Sequence, residues 1–325
     1  MLVSALSVIP LIFLSVLIAM ILRGLARPVT RLLPVAPRWS VIVVLILLFV
    51  ASGLFFATFG PRILEQFDRL SEQVPQTLEQ TRTSIEQYEW GQQIVNSLQQ
   101  VPSDANNMDI LSRLTGFFSG AFGAIANGLL VIVAGIYLAF EPSLYVNNLI
   151  RLFPLQYRER AHDVLREGHE VVQRWLVARL LSMVVVGVLT LIGLWIIDLP
   201  LALTLSVIAA VLSFIPNLGP FLAAAPAFLV GLAQSPLMAL LVLVVYSVVQ
   251  QIENYLITPN IQRKTVKLPP ALVMLSQVFL LLIFGWLGLF IAAPLVAFCI
   301  VLVKSIYIED FLGDELGRMI ESDTA

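Results

Sequence analysis

Charged residues are scarce in this chain of 325 residues, and their scarcity indicates the solvent in which it folds. Asp, Glu, Lys and Arg make up 12% of the residues, about half the fraction of an ordinary soluble domain. Hydrophobic residues make up 59%, and the mean hydropathy is +0.92. A formal net charge of -2 provides no basic face for nucleic acid. The composition predicts a polytopic membrane protein whose main partner is the lipid bilayer.

Residues that form disulfides, bind metals or catalyse reactions are also scarce. Cys299 is the single cysteine, so no disulfide can form within the chain, and its apolar neighbours predict a packed, unreactive thiol. His169 and Glu170 begin like the helical zinc-protease motif, but Gln173 stands where that motif needs its second histidine. The chain has no Gly-x-Ser-x-Gly elbow and no phosphate-binding loop. We therefore expect a protein that is not an enzyme and holds no metal and no cofactor.

Long apolar runs are what the sequence does contain, and they predict the membrane spans. A spanning helix needs about 20 apolar residues. The predicted spans are residues 2–22, 40–59, 117–140, 176–197 and 237–257. Residues 23–38 hold four arginines and no acid, which predicts a cytoplasmic loop and an N-terminus outside. Gly60 and Pro61 are predicted to end the second span.

Residues 60–114 are predicted to form an extracytoplasmic amphipathic helical segment. The composition becomes polar after the second span, and apolar residues recur at helical spacing of three and four. The recurring residues are Ile63, Phe67, Leu70, Val74 and Leu78. One interpretation is a helical hairpin that packs on itself or lies on the membrane surface, and the other is a coiled-coil contact between subunits.

Two short apolar segments, residues 201–214 and 221–233, flank a helix-breaking run. Fourteen helical residues reach only about 21 Å, which is less than the hydrocarbon core of about 30 Å. The two segments are therefore predicted to be the arms of a re-entrant hairpin, whose tip contains Pro216, Asn217, Gly219 and Pro220. The alternative is a tight connector between two ordinary short spans, in which Asn217 satisfies the turn.

The same pattern recurs near the C-terminus. Residues 271–284 form another short segment, followed by Gly285, Gly288 and a longer run to residue 307 that Pro294 interrupts. Paired interrupted segments indicate a transport site between inverted repeats. The predicted fold is all-α, with about seven or eight transmembrane or re-entrant helices and two interrupted hairpins. Its predicted regions are residues 1–59, 60–114, a transport core 115–308, and an acidic cytoplasmic tail 309–325.

Four polar residues near the end of the span 237–257 are predicted to share one helix face, because they follow one another at spacings of four, three and one. They are Tyr246, Gln250, Glu253 and Asn254. A carboxylate inside a membrane is costly and is usually functional, so Glu253 is predicted to bind a proton or a sodium ion. The alternative is that Glu253, about one turn from the end of the span, lies at the membrane interface and pairs with Arg263 or Lys264 of the next loop.

Several motifs, taken in order, resemble one family. They are Ile-Pro-Asn-Leu-Gly-Pro-Phe-Leu at 215–222, Gln-Gln-Ile-Glu-Asn at 250–254, Leu-Ile-Thr-Pro-Asn-Ile at 256–261, Leu-Pro-Pro at 268–270, and the run from Gly285 to Pro294. This set resembles the AI-2E (autoinducer-2 exporter) family of bacterial inner-membrane transporters. The resemblance implies a helical, homo-oligomeric, multi-pass transporter. It places Thr258 in the predicted solute or ion site and Pro259 at a helix break.

The predicted function is secondary transport by alternating access around the two interrupted hairpins. The resemblance implies export of a small polar solute such as autoinducer-2, and coupling to H⁺ or Na⁺ remains open. One alternative is a sodium/proton antiporter that uses Glu253, since other members of the family are associated with that exchange. A second alternative is a membrane scaffold that transports nothing and assembles through its outer helices. A scaffold would tolerate Glu253→Gln, whereas a coupled transporter would not.

Overall fold

The regular structure of the described residues is entirely helical. The computed structural model describes residues 8–32, 36–86, 128–257 and 268–313. In these ranges the α-helices are α1 (Val8–Leu32), α2 (Pro37–Glu86), α3 (Gly128–Phe140), α4 (Pro142–Ile150), α5 (Arg158–Ile196), α6 (Ala202–Leu212), α7 (Leu218–Gln234), α8 (Pro236–Ile252), α9 (Pro270–Phe284) and α10 (Trp286–Leu302). The π-helical segments Glu253–Ile257 and Val303–Phe311 continue α8 and α10. The predicted all-α fold is confirmed.

Within the described ranges, five helical stretches are long and apolar enough to cross a membrane. They are Val8–Arg31, Arg38–Leu70, Leu155–Ile196, Pro236–Tyr255 and Trp286–Phe311. The pair α3 and α4, bent by 83° at Glu141, would make a sixth span. Large apolar side chains on these helices, such as Phe49 on α2, are exposed. Exposed apolar surface of this extent fits lipid rather than water, so the chain is a multi-pass membrane protein.

The predicted arginine loop is partly wrong, because α1 continues to Leu32 and carries most of the arginines. Arg23 Nε donates to the carbonyl oxygen of Ala139 at 2.8 Å. Gly24 lies so close to Val177 that a side chain there would collide with it. These contacts with α3 and α5 stabilise helix beyond the apolar run. Charge marks where a span leaves the hydrocarbon, which need not be where its helix ends.

The predicted helix end at Gly60 and Pro61 is also wrong, since α2 continues through both residues. A proline inside a helix removes one backbone hydrogen bond and destabilises it. Tertiary contacts beyond Pro61 oppose that cost. Leu70 is buried with Leu194 and Val242, and Gln66 accepts hydrogen bonds from Thr204. The predicted amphipathic pattern is seen directly at residues 63–70, whereas the side chains of Val74 and Leu78 and all of residues 87–127 lie outside the description.

The chain divides into two compact units. Unit 1 comprises Met1–Phe49, Leu130–Leu180 and Asn260–Ala325, and unit 2 comprises Val50–Leu129 and Leu181–Pro259. The core of unit 1 includes a cluster of small and branched residues from α1, α2 and α3, among them Leu22, Val41 and Ala139. The core of unit 2 joins α2, α5, α6, α7 and α8 around Leu205 and Val242. Each unit contains one of the two interrupted hairpins.

Both predicted interruptions are present. In unit 2 the break between α6 and α7 runs from Ser213 to Asn217, and in unit 1 the break between α9 and α10 is Gly285 alone. Gly219 and Gly288 lie in the first turn after each break, against the carbonyl oxygens of Leu212 and Leu280. Pro220 also lies inside the first turn of α7.

The prediction that Pro294 interrupts a helix is wrong, because α10 passes through it without a break. Pro294 is buried, and so are its neighbours Ala292 and Ala293. Close packing around small side chains allows a helix to continue past the backbone bond that a proline removes.

The C-terminal part of unit 1 differs from prediction at Cys299. Cys299 was predicted to be packed, but its side chain is exposed on α10. Glu309 and Asp310, the first residues of the predicted acidic tail, belong to the π-helical segment, and residues 314–325 of that tail lie outside the described residues. The carboxylates of Glu309 and Asp310 accept from Arg160 at 3.0 and 2.9 Å. An apolar sequence environment does not bury every side chain, since a membrane helix has a lipid-facing side.

Candidate functional site

Helix α8 carries the predicted polar face. Ser235 begins the helix, because its hydroxyl oxygen accepts from the backbone N–H of Met238 at 3.1 Å and Pro236 follows at the first helical position. Four residues at spacings of four, three and four then form the buried face of the helix and its π-helical continuation. They are the buried residues Val242, Val249 and Glu253 and the partly buried Tyr246. The helix therefore turns its one carboxylate inward within unit 2.

The part of α5 that belongs to unit 2 packs antiparallel against this face. Ser182 Oγ donates to Glu253 Oε1 at 2.9 Å. Farther along, a side chain at Gly193 would come within 2.5 Å of Val245. Leu194 and Val242 share one apolar cluster. We call this contact, from Ser182 and Glu253 at one end to Leu194 and Val242 at the other, the α5–α8 seam.

Glu253 is the buried carboxylate of the seam, with 3% of its surface exposed. Gln250 Nε2 lies 3.4 Å from Glu253 Oε2 and donates to Asn254 Oδ1 at 3.0 Å. The structure therefore brings Gln250, Glu253 and Asn254 together as predicted, although Asn254 is exposed. Arg263 and Lys264, the alternative partners predicted for Glu253, lie outside the described residues.

The helix widens where Glu253 stands. The segment Glu253–Ile257 is π-helical, so its backbone hydrogen bonds span five residues instead of four. Such wide turns are rare and occur often at functional sites, because they shift side chains out of the regular α-helical register. The carboxylate thus lies at the boundary between regular and widened helix.

Tyr246 is on the predicted face, but its hydroxyl group forms no hydrogen bond with the Glu253 cluster. Its oxygen is buried and has no hydrogen-bond partner among the residues that the structure describes. The same holds for the hydroxyl oxygen of Thr190 on α5. The sequence reasoning missed Thr190 and Ser182. Their spacing of eight residues within an apolar run was a signal, but a weak one, because hydroxyl residues in membrane helices usually bond to their own backbone.

The tip of the first hairpin uses most of its backbone donors internally. The N–H groups of Phe214, Ile215 and Gly219 bond to carbonyl oxygens of the preceding turn. Leu218 N donates to Pro216 O at 2.7 Å across Asn217, whose φ of 64° and ψ of -52° are those of a strained γ-turn. The Asn217 side chain is exposed and does not cap α7. These internal bonds favour a connector over a backbone that binds solute.

The remaining predicted residues do not join this cluster. Thr258 and Pro259 lie outside the described residues. Gly285, Gly288 and Pro294 belong to unit 1, where Gly285 forms the turn of the hairpin and Gly288 lies in the first turn of its second helix. In the part of the chain that the structure describes, no three His, Cys, Asp or Glu side chains gather as a metal site would require. What unit 2 offers chemically is a carboxylate held by a hydroxyl and an amide inside a membrane span.

The comparisons with known proteins agree on one family. Residues 1–308 match the family described as AI-2E family transporter. YueF of Bacillus subtilis (strain 168), which is named as a candidate transport protein, is 28% identical over 301 residues, covering 88% of this chain and 82% of its own length. YrrI of the same organism is 27% identical over 306 residues, covering 89% and 85%. YhhT of Escherichia coli (strain K12) is 24% identical over 288 residues, covering 85% and 76%. YrrI and YhhT are also named as candidate transport proteins.

Proposed function

The chain belongs to the AI-2E transporter family, and from this premise we propose that Glu253 is the coupling residue of a secondary transporter for a small polar solute. Membership of the family makes the chain a membrane transport protein rather than an enzyme. The observation that supports the role of Glu253 is its burial in a membrane-spanning helix, where 3% of its surface is exposed. We place the protein in a bacterial inner membrane, as the family resemblance implies.

Burying a charged carboxylate in the hydrocarbon core costs free energy, so such residues usually have a functional role. The Ser182 hydroxyl donates one hydrogen bond to Glu253 and the Gln250 amide contributes a longer one. These donors offset part of the cost of burying the charge. A carboxylate in this balance can release and take up a proton, or bind a small cation, as the protein alternates between its inward and outward states.

The solute is proposed to be small and polar, with autoinducer-2 as the family description suggests, and the direction is proposed to be export. The support is the family match over residues 1–308. The residues of the seam indicate that the solute is polar, but they do not identify it. It combines a carboxylate, amides and hydroxyl groups, which are hydrogen-bonding groups suited to a polyhydroxylated molecule.

Sodium/proton antiport is the second candidate, and one observation favours it. The Ser182 hydroxyl oxygen lies 2.9 Å from Glu253 Oε1, so a carboxylate and a hydroxyl oxygen are at hand as ligands for a hard cation. Competition between H⁺ and Na⁺ for one carboxylate would give exchange with no other solute.

The test uses the purified protein in liposomes with an interior pH dye and an imposed pH or sodium gradient. We compare wild type with Glu253→Gln, which removes the charge and keeps the shape. Glu159→Gln is the matched control, because Glu159 is exposed at the start of α5. We expect proton movement by wild type and by the control, and its loss in Glu253→Gln.

Equal proton movement by all three proteins would remove Glu253 from the mechanism. Silence of all three would reject ion coupling under those gradients, and uptake of labelled autoinducer-2 into inverted vesicles would then separate an uncoupled exporter from a scaffold. Sodium dependence of the proton signal without added solute would favour antiport. Size-exclusion profiles of the three variants confirm that each compared protein is folded.

A further inference from the structure

Two hydroxyl groups in the α5–α8 seam lack the hydrogen bonds that such groups usually form. Thr190 is fully buried, and the hydroxyl oxygens of Thr190 and Tyr246 have no partner within the described ranges. Other hydroxyl residues of unit 2 bond to nearby backbone, as Ser206 of α6 does to Leu203 O at 2.7 Å and Ser213 does to Ala210 O at 2.8 Å. The buried hydroxyl oxygen of Ser40 in unit 1 is also without a partner among the described residues, but Thr190 and Tyr246 are the two that lie in the seam.

The two hydroxyl-bearing residues lie at the same level of the seam. Thr190 follows Ser182 by eight residues and precedes Gly193 by three, and Tyr246 precedes Glu253 by seven and follows Val245 by one. Because Ser182 meets Glu253 and Gly193 meets Val245, the antiparallel pairing brings Thr190 opposite Tyr246. At 1.5 Å per residue this level is about 10 to 12 Å from Glu253 along the helices.

Burying a polar group without a partner destabilises a protein, and a polar site of sufficient size takes up water instead. Two such groups on facing helices are the partners that a small neutral molecule needs if it both donates and accepts hydrogen bonds. Water is the smallest molecule of that kind. A charged ligand is a poor match, since residues 186–194 of α5 and 242–249 of α8 include no charged side chain.

We propose that Thr190 and Tyr246 form a hydrogen-bonding subsite that holds water in the α5–α8 seam and extends an aqueous path from Glu253 into the membrane. The part of this subsite in transport rests on the proposed function of Glu253, but its hydration does not. The path would let a proton, or a solute with hydroxyl groups, move between the carboxylate and the deeper part of the seam.

The first test measures water access directly. In full-length protein with Cys299→Ser, single cysteines are introduced as Thr190→Cys, Leu194→Cys and Val188→Cys and are exposed in liposomes to a small water-soluble methanethiosulfonate. Leu194 is the dry control, one turn farther along the same buried face, and Val188 is the lipid-facing control. We expect labelling of the cysteine at position 190 and not at 194 or 188.

Absence of labelling at position 190 would overturn the subsite, because water would not reach it. Labelling at both 190 and 194 would also overturn it, since the seam would then be open along its length rather than hydrated at one level. These results do not depend on Glu253. If position 190 is labelled while Glu253→Gln transports normally, the subsite stands and the proposed role of Glu253 fails.

The second test uses Thr190→Val and Tyr246→Phe, which remove each hydroxyl and keep the shape. Ser206→Ala is the control, because its hydroxyl bonds to backbone. We expect each of the two variants to keep the thermal stability of wild type and to lower proton or solute flux about fivefold, the change that loss of one hydrogen bond produces. Raised stability with unchanged flux would show two merely unsatisfied hydroxyls and would contradict the proposal.

Discussion

The two interrupted hairpins share one feature and differ in another. Both place a glycine, Gly219 or Gly288, in the first turn of their second helix, where it meets a carbonyl oxygen near the end of the first helix. The connections differ. The hairpin of unit 2 uses five residues, Ser213 to Asn217, whereas the hairpin of unit 1 turns at Gly285 alone.

This comparison separates the close helix packing that both hairpins share from the irregular backbone that only the hairpin of unit 2 has. The close approach of two helices requires a small residue at one position, and both hairpins supply it. The longer connection adds a strained γ-turn at Asn217 in the unit that also contains the seam with Glu253. Strained backbone persists where the surrounding structure holds it, and it is found most often at sites that bind or move. The hairpin of unit 2 is therefore the better candidate for a moving part.

The largest predicted effect comes from breaking the shared feature. Gly219→Ala and Gly288→Ala each place a Cβ against backbone, which cannot move aside as a flexible side chain can. We expect each change to lower the free energy of unfolding by about 3 kcal/mol, as overpacking does. Thermal unfolding followed by intrinsic tryptophan fluorescence in detergent measures the loss.

Gly53→Ala is the control for these two substitutions. Gly53 lies in α2 with open space around it, so an added methyl group meets nothing and favours the helix by up to about 1 kcal/mol. If Gly219→Ala or Gly288→Ala proved as harmless as Gly53→Ala, close helix approach would not be what the hairpins share.

The second prediction concerns the feature that differs. Gly285 has φ of 62° and ψ of -152°, a conformation that only glycine adopts readily, so Gly285→Ala should destabilise unit 1 by about 2 kcal/mol. Asn217→Gly should do the opposite in unit 2, since glycine relieves the strain of the γ-turn, and should stabilise it by about 1 kcal/mol. The unfolding temperature should fall for Gly285→Ala and rise for Asn217→Gly. Destabilisation by Asn217→Gly would mean that the asparagine side chain contributes more than its backbone strain costs.

A smaller effect is expected where the hairpin of unit 2 begins. Gln66 Oε1 accepts from Thr204 N at 3.1 Å and from Thr204 Oγ1 at 2.9 Å, which satisfies a free donor at the start of α6. Gln66→Ala should cost about 1 kcal/mol, as loss of a helix cap does. Gln66→Glu keeps an acceptor oxygen and should restore most of the stability. Failure of that rescue would show that packing of the glutamine side chain matters more than its hydrogen bonds.

The smallest effect is expected after the hairpin of unit 1. Arg160 bonds to Glu309, Asp310 and the carbonyl oxygen of Ser305, but it is partly exposed, so Arg160→Met should cost no more than about 1 kcal/mol. The cost should shrink as salt is added. Arg166→Met, at an exposed pair with Asp163, should be nearly silent. A large, salt-independent loss for Arg160→Met would mark the cluster as part of the core of unit 1.

The sequence predicted the helix breaks well, because proline, glycine and short apolar lengths are local signals. Pro216 and Gly285 lie in real interruptions, and Gly219 and Gly288 lie one turn beyond them. Pro61 and Pro294 carried the same signal and break nothing, since tertiary packing decides whether a helix tolerates a proline. That packing is not visible in a window of neighbouring residues.

The candidate site was predicted only on the helix that carries its charge. Spacing placed Gln250, Glu253 and Asn254 together, and the hydrogen bonds among them confirm that grouping. Ser182 and Thr190 come from a different part of the chain, about 70 residues before Glu253 in the case of Ser182, a separation that the hydrogen bond between them spans. Which faces of two helices meet depends on the tertiary fold.

The widened turn at Glu253–Ile257 also determines how far the residues after it are rotated about the helix axis. A π-helical turn accommodates one residue more than an α-helix of the same length, and one residue of helix corresponds to about 100° of rotation. Shortening this turn by one residue would rotate whatever follows while the residues before Glu253 kept their packing. The chain thus contains a point at which the direction of the next segment can be tuned independently of the buried carboxylate, by the count of residues rather than by their chemistry.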